Sequence, residues 1–324
     1  MKNKLVIEIE AARSTIRPYA RKTELSFSPD LSVELDARIY FKWENHQPTG
    51  SFKIRGACNK ILANLPDCQK KGVISASTGN HGLAVAFVCQ QEKLDLTLYV
   101  PASISSLKRQ KLEATGARLI FVDGTCEQAE TQARQEAGSN GQIFVSPYND
   151  EQVVAGQGTC GLEILEDLPE MEEVMVPVGG GGLIGGVAVY LKTLKPAIKI
   201  TGIEPENSAF IKNSLDRGFL TNDFREKPTI AEAVAGGLEE GAITFDLIRK
   251  YVDRVITVKE QAIYQAIRLL FKHHQEKIEG AGALALAGLI SYPEIFSGKK
   301  VVTVVSGGNL DDRLWRKIVN LKSG

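Results

Sequence analysis

The chain carries almost no charge imbalance: 39 lysines and arginines face 39 aspartates and glutamates among its 324 residues. No global field draws it to a nucleic-acid backbone or an anionic membrane. It lacks any apolar run approaching the roughly 20 residues of a membrane span. The opening MKNKLVIEIEAARSTI has neither the apolar stretch nor the cleavage site of a signal peptide. Cysteine is sparse. Cys58, Cys68, Cys89, Cys126 and Cys160 are odd in number, scattered and never in a CxxC pair. That argues against a disulfide framework or a zinc site and for a reduced, cytoplasmic setting, each thiol acting as a small buried hydrophobe. Low-complexity tracts and internal repeats are missing too. What remains is an ordinary globular composition, 43% hydrophobic and 24% charged, enough for one or two domains around a large core. The expected ligand is small.

Short β-rich runs alternate with helix-length segments. ARIYFKWE, VISAS, LTLYVP, RLIFVD, QIFVSP, EVMVPVG, KITGIEP, DRVITV and KKVVTVVSG read as strands, and DDRLWRKIVNLK as a closing helix. Nearly continuous apolar strands with helices between them predict parallel sheets covered on both faces, an α/β architecture of two domains. The block 72–147 reads as a small domain inserted into a larger one made of 1–71 and 148–324, with a ligand cleft between them.

Ligands of open α/β sheets sit at strand ends, and several stretches here are unusual. PTGSFKIRGA sets Lys53 behind a Pro-Thr-Gly turn at a helix start; an ordinary capped helix beginning with a surface lysine reads the same way. VISASTGNHG ends a strand in Ser77, Thr78, Gly79, Asn80 and His81, with helix-start N–H groups suited to a carboxylate; a capped turn with His81 in the core is the alternative. VMVPVGGGGL places Gly179, Gly180, Gly181 and Gly182 between strand and helix, a backbone nest of the kind that holds phosphate. It lacks the Gly-Lys-Ser/Thr of a P-loop and is not a clean dinucleotide fingerprint, with Glu204 only a near miss for the acidic partner. VVTVVSGGN offers a hydroxyl at Ser306, or merely a helix cap at Ser306 or Asn309. EKIEGAGALAL sets Glu279 at a helix start, as a dipole-matched charge or as a site residue.

A lysine, a phosphate nest, a hydroxyl fit for a neutral ring nitrogen and an Asn/Gly loop for a carboxylate are together what pyridoxal phosphate and an amino acid require. At this point the sequence resembles the fold-type II pyridoxal-phosphate enzymes, in particular the serine/threonine dehydratases (ammonia-lyases) and serine racemases. QPTGSFKIRGA, STGNHG, GGGGL and SGGN match that family's motifs in kind and order, as do YNDEQVVAGQGT and IEGAGALAL. The resemblance implies that Lys53 carries the cofactor as a Schiff base and then takes the Cα proton of the substrate. It implies that Phe52 packs near the ring, that Asn80 bonds the ring's 3′-oxygen and that Gly179, Gly180, Gly181, Gly182 and Leu183 hold the phosphate. Ser306 would face the pyridine nitrogen, Glu279 would stand beside the cofactor, and Ser77, Thr78, Gly79 and His81 would line the substrate carboxylate. The implied reaction is β-elimination of L-threonine or L-serine to a 2-oxo acid and ammonia by a homodimer.

Three departures matter. Racemases of the family place a serine opposite the lysine as second acid/base; here that position is Thr78, whose methyl restricts its rotamers and favours dehydration. Some relatives bind a divalent cation through a Glu and an Asp six residues later; here Glu204 is followed by Phe210, with Glu206 between them, so no metal site of that kind is expected. The loop AGGLEEGAITF lacks the racemases' serines near Gly236 and Gly237, which leaves a larger hydroxylated amino acid open, as in the dehydratase of hydroxyectoine breakdown. The competing readings are a serine racemase, a β-replacement enzyme of the same fold and a nucleotide-binding module that uses only the glycine turn.

Overall fold

Glu173–Pro177 is apolar at alternate residues on both sides, and the reason is visible in the packing. Val174 and Val176 enter one hydrophobic core together with Val302, Val304, Ile184 and Val187. Met175 enters a second core with Val301, Val305, Ala281 and Leu284. Burying each such side chain contributes roughly 1.5–3 kcal/mol, so a strand covered by helices on both faces stays apolar throughout rather than alternating with polar residues.

The computed structural model describes residues 4–320. In these residues the strands are β1 (Leu25–Phe27), β2 (Arg38–Trp43), β3 (Val73–Ala76), β4 (Leu96–Pro101), β5 (Arg118–Val122), β6 (Ile143–Val145), β7 (Glu173–Pro177), β8 (Lys199–Pro205), β9 (Arg254–Val258) and β10 (Lys300–Val305). They form a six-stranded sheet in the order β1-β2-β10-β7-β8-β9 and a four-stranded sheet in the order β5-β4-β3-β6. All pairings are parallel except β1 with β2. The smaller sheet is continuous in sequence, and the larger one is assembled from strands on either side of it. Nine strands coincide with the nine apolar runs. β1 has no counterpart among those runs: three residues long with one polar residue, it is an edge strand paired antiparallel with β2.

The smaller sheet also has two covered faces. Val73, Leu96, Leu98 and Val100 point into one core, while Ile74 and Tyr99 pack against Ala129, Ala133 and Ala137 of the helix Cys126–Asn140 on the other. Cys58, Cys68, Cys89 and Cys160 are buried free thiols, and Cys126 alone is exposed. The closing helix runs over Asp312–Asn320; Leu321 and Lys322 of the expected segment lie outside the described residues. No helix of the described residues is long and apolar enough to cross a membrane.

Candidate active site

The loop after β2 is zipped to the loop after β10. Ser51 bridges Gly307, the Phe52 N–H donates to the Ser306 carbonyl at 3.1 Å, and the Gly308 N–H donates to the Gly50 carbonyl at 2.9 Å. Two strand ends far apart in sequence are thereby fixed side by side. Lys53 then opens the helix Lys53–Ala63. Its ε-amine donates to the Pro147 carbonyl, at the end of β6, at 2.7 Å and lies 5.2 Å from the centre of the Phe52 ring. Burial pulls the Lys53 pKa down to about 8, against the opposing charges of Glu130 and Glu279. A neutral amine at near-physiological pH is what a general base needs.

Opposite this lysine, β7 runs into Gly179–Gly182 and the helix Gly182–Leu194. Gly181 has φ +81°, a left-handed turn that favours glycine. Gly180 lies so close under the Tyr148 ring that an added Cβ would sit 2.3 Å from a ring carbon. The Thr244 hydroxyl donates to the Gly180 carbonyl at 2.7 Å, pinning the turn. The first turn of the following helix carries no acidic side chain, and its leading N–H groups have no partner within the helix. Such a turn is suited to receive an anion.

The third wall comes from the end of β3. Ser77, Thr78, Gly79 and Asn80 are half-buried, and nothing lies within 4 Å of where a Cβ on Gly79 would stand. The Asn80 amide donates to Glu279 Oε1 at 2.6 Å and accepts from the Asn309 amide at 2.8 Å. Glu279 precedes the helix Gly280–Ser291 and is buried; burial raises its pKa to about 7, with the Asn80 hydrogen bond pulling the other way. His81 is buried as well. Its Nε2 lies 3.0 Å from the Val145 carbonyl, which can only accept, so Nε2 carries the proton. Nδ1 has no partner. Burial and the nearby Lys53 lower the His81 pKa to about 3, so the ring is neutral. The side chain of His81 is therefore tied to β6.

Two of the alternatives fail on geometry. No helix starts at Ser306 or Asn309. The cap of the last helix is Asp311, whose carboxylate accepts from Arg313 and Leu314, while Asn309 reaches back to Asn80 and to the Thr49 carbonyl. Glu204, the near miss for a ribose-binding acid, spends both oxygens on the N–H groups of Ile211 and Lys212 at 2.9 and 2.8 Å. It is an N-terminal anchor for the helix Phe210–Arg217. Phe210, where some relatives carry an aspartate, packs against Phe224 with ring centres 5.1 Å apart. Among the described residues no group of three or more His, Cys, Asp or Glu could hold a metal ion.

Several residues of the site were not legible in the sequence. Pro147 supplies the carbonyl that Lys53 meets. Tyr148 covers the glycine turn, and its hydroxyl accepts the Glu239 N–H at 3.0 Å. Arg134 bridges Glu130 on its own helix, at 3.1 Å, to Glu239 on the other side of the cleft, at 2.9 Å. Burial and the Glu239 charge push Glu130 up to about 7. For Pro147 and Tyr148 the sequence signal is the polar turn YND after β6, and Glu239 lies in the loop AGGLEEGAITF.

A half-buried amine, a glycine turn at a helix start and polar groups at strand ends are the parts of a phosphate-bearing aldehyde cofactor site. The model of the pyridoxal-phosphate dependent enzyme family matches residues 16–307, and the chain belongs to that family. Its fold is the fold-type II arrangement and its cofactor is pyridoxal phosphate. Over 320 residues it is 41% identical to the L-threonine ammonia-lyase of Thermotoga maritima, covering 98% of this chain and 79% of that protein. Among solved structures it is similar to the processed form of threonine deaminase isoform 2 from Solanum lycopersicum, with TM-score 0.90 and 31% identity over 99% of this chain and 93% of that one. The maize serine racemase is also similar, with TM-score 0.88 and 30% identity over 97% and 96% of the two chains.

Proposed function

We propose that the chain is an ammonia-lyase that dehydrates and deaminates a hydroxy amino acid such as L-threonine or L-serine to a 2-oxo acid and ammonia. The observation that carries this reading is Lys53: a half-buried amine, poised near pH 8, bonded to the Pro147 carbonyl and next to the loop zipped to the Ser306 strand end. The ammonia-lyase and threonine deaminase relatives support the substrate class.

Bound pyridoxal phosphate supplies the electron sink for the carbanion character that develops at the substrate Cα. The protein does the rest. The N–H groups of Gly179, Gly180, Gly181, Gly182 and Leu183 would hold the phosphate. Asn80, fixed by Glu279 and Asn309, would serve the ring oxygen, and Ser306 the ring nitrogen. A serine hydroxyl would not hold that nitrogen protonated as a carboxylate would, which would favour elimination. Phe52 would pack near the ring. Main-chain N–H groups of Ser77, Thr78, Gly79 and His81 would receive the substrate carboxylate. Lys53 would anchor the cofactor and, as a free amine, would take the Cα proton. Residues 72–147 act as a small domain inserted between 1–71 and 148–324, a division supported by the contiguity of the four-stranded sheet. The family resemblance supports a homodimer, and the free thiols support a cytoplasmic setting.

The test is direct. Purified protein is expected to be yellow, with Lys53→Ala colourless, and to release 2-oxo acid from L-threonine and L-serine. If D-serine accumulates faster than pyruvate, the racemase reading replaces this one. Formation of a new amino acid from an added thiol would mark a β-replacement enzyme. Turnover of L-threo-3-hydroxyaspartate far above that of threonine would move the substrate to a larger hydroxy amino acid.

A further inference from the structure

Two residues beyond Lys53, the same helix carries a second cation with the opposite fate. A separation of two positions is about 200° of helix rotation, so Lys53 faces the cleft and Arg55 faces the interior. The Arg55 side chain is wholly buried, as are those of Glu44 and Lys42, and Glu163 nearly so. Arg55 Nε and Nη2 grip the two oxygens of Glu44 at 2.7 and 2.8 Å. Nη1 and Nη2 grip those of Glu163 at 2.8 and 2.7 Å, and Nη1 also donates to the Thr159 hydroxyl at 3.0 Å. Lys42 closes the group on Glu163 at 2.6 Å and on the Thr23 carbonyl at 2.7 Å. Two cations and two carboxylates cancel.

Replacing a buried ion cluster by apolar side chains is often neutral or stabilising. The cluster is therefore poorly explained as a source of stability. Its geometry is better matched to rigidity. A guanidinium held bidentately on both sides cannot rotate or slide, and the elements it joins are those that aim Lys53. Glu44 opens the loop that leads from β2 to Lys53, and it also accepts from Gln47 at 3.2 Å. Thr159 and Glu163 lie on the helix Glu151–Asp167, which starts just after Pro147 and Tyr148. We propose that Arg55 is a positioning residue for Lys53: its two carboxylate forks lock the first helical turn so that the ε-amine stays aligned while it alternates between holding the cofactor and carrying a proton. This rests on Lys53 being the base, and it extends the site to a layer that touches neither substrate nor cofactor. Its neutrality fits the causes of the Lys53 shift, which are burial, Glu130 and Glu279 and none of the cluster's groups.

Two variants test it in the holoenzyme. Arg55→Met with Glu44→Gln removes one charge of each sign and leaves the Lys42–Glu163 pair; Arg55→Lys keeps the charge and loses the forks. The expected result for both is a cofactor band of normal intensity, KM within about threefold, and kcat per bound cofactor lower by about tenfold or more, the scale set by an ångström-level misplacement of a reacting group. The double variant is expected to keep its Tm while amide hydrogen exchange over residues 50–56 speeds up. The midpoint of the kcat–pH profile is expected to stay in place, since the cluster's net charge is unchanged. A kcat within twofold of the parent in a folded double variant overturns the proposal. If the double variant does not fold, the same criterion applied to Arg55→Lys decides. Failure of the Lys53 assignment is read separately, from a Lys53→Ala protein that keeps its colour and turnover.

Discussion

The ε-amine of Lys53 donates to the main-chain carbonyl of Pro147 at 2.7 Å, a contact that links the larger sheet's loops to the smaller sheet's alongside Asn80–Glu279 and Arg134–Glu239. Lys53 follows β2 of the larger sheet, and Pro147 follows β6 of the smaller one. The carbonyl accepts from the amine, while burial disfavours the ammonium.

The first prediction follows from the sign of that shift. The folded pKa of Lys53 lies near 8, below the ordinary 10.5, so the neutral base is lost as pH falls through 8. On a one-proton curve kcat should rise about tenfold between pH 7 and pH 9 and then level off. Glu279 raises the Lys53 pKa. Glu279→Gln is therefore expected to move the acid limb to lower pH, measured by steady-state release of 2-oxo acid across a buffer series.

Two glycines separate packing from access. At Gly180 a methyl would collide with the Tyr148 ring at 2.3 Å, while at Gly79 it would meet nothing within 4 Å. Gly180→Ala is expected to weaken cofactor binding at least tenfold, about 1.4 kcal/mol, in a titration of apoprotein followed by absorbance. Gly79→Ala is expected to bind cofactor normally and keep its Tm, but to raise KM for threonine, since on the proposed function the added methyl would enter the space the substrate carboxylate takes.

The strand ends were legible because their chemistry is local. Four consecutive glycines, or Ser-Thr-Gly-Asn after an apolar run, announce a backbone that must turn sharply or approach a ligand. The support behind them was not legible. Arg55 in KIRGA reads as one more polar helix residue; its carboxylate partners lie 11 and 108 positions away, and only the tertiary fold brings them together. Asn309 was readable as a helix cap, yet the cap is Asp311 and Asn309 instead orients Asn80. Tyr148 illustrates the same limit: a tyrosine in a polar turn gives no sign that its ring roofs a glycine in the turn after β7.

Thr78 bears on the choice between elimination and racemisation. It stands in the half-buried loop after β3; on the proposed function its hydroxyl would face the second side of the substrate and could return a proton. Its extra methyl narrows the rotamers that present the hydroxyl. Thr78→Ser is expected to raise the ratio of D-serine to pyruvate formed from L-serine severalfold, with Tm within about 1 °C as for a surface-like change. Chiral chromatography of the quenched reaction reads it.

Glu204 tests whether a cation helps hold the larger sheet's far edge. Both its oxygens are engaged by the Ile211 and Lys212 N–H groups, and burial lifts its pKa to about 7 against those bonds. A carboxyl whose folded pKa exceeds its unfolded one stabilises fully below the ordinary 4.5, and that contribution is lost as pH rises through 7. Glu204→Ala is therefore expected to cost about 1–2 kcal/mol at pH 6, as loss of a helix cap does, and less at pH 8. With its lone pairs turned to main chain and Phe210 sealed against Phe224, too few oxygens remain for a hard cation. Millimolar magnesium or calcium is expected to leave the Tm of the parent within 1 °C, an effect too small for specific binding. A rise of several degrees that disappears in Glu204→Ala would show that the carboxylate leaves the helix for a metal.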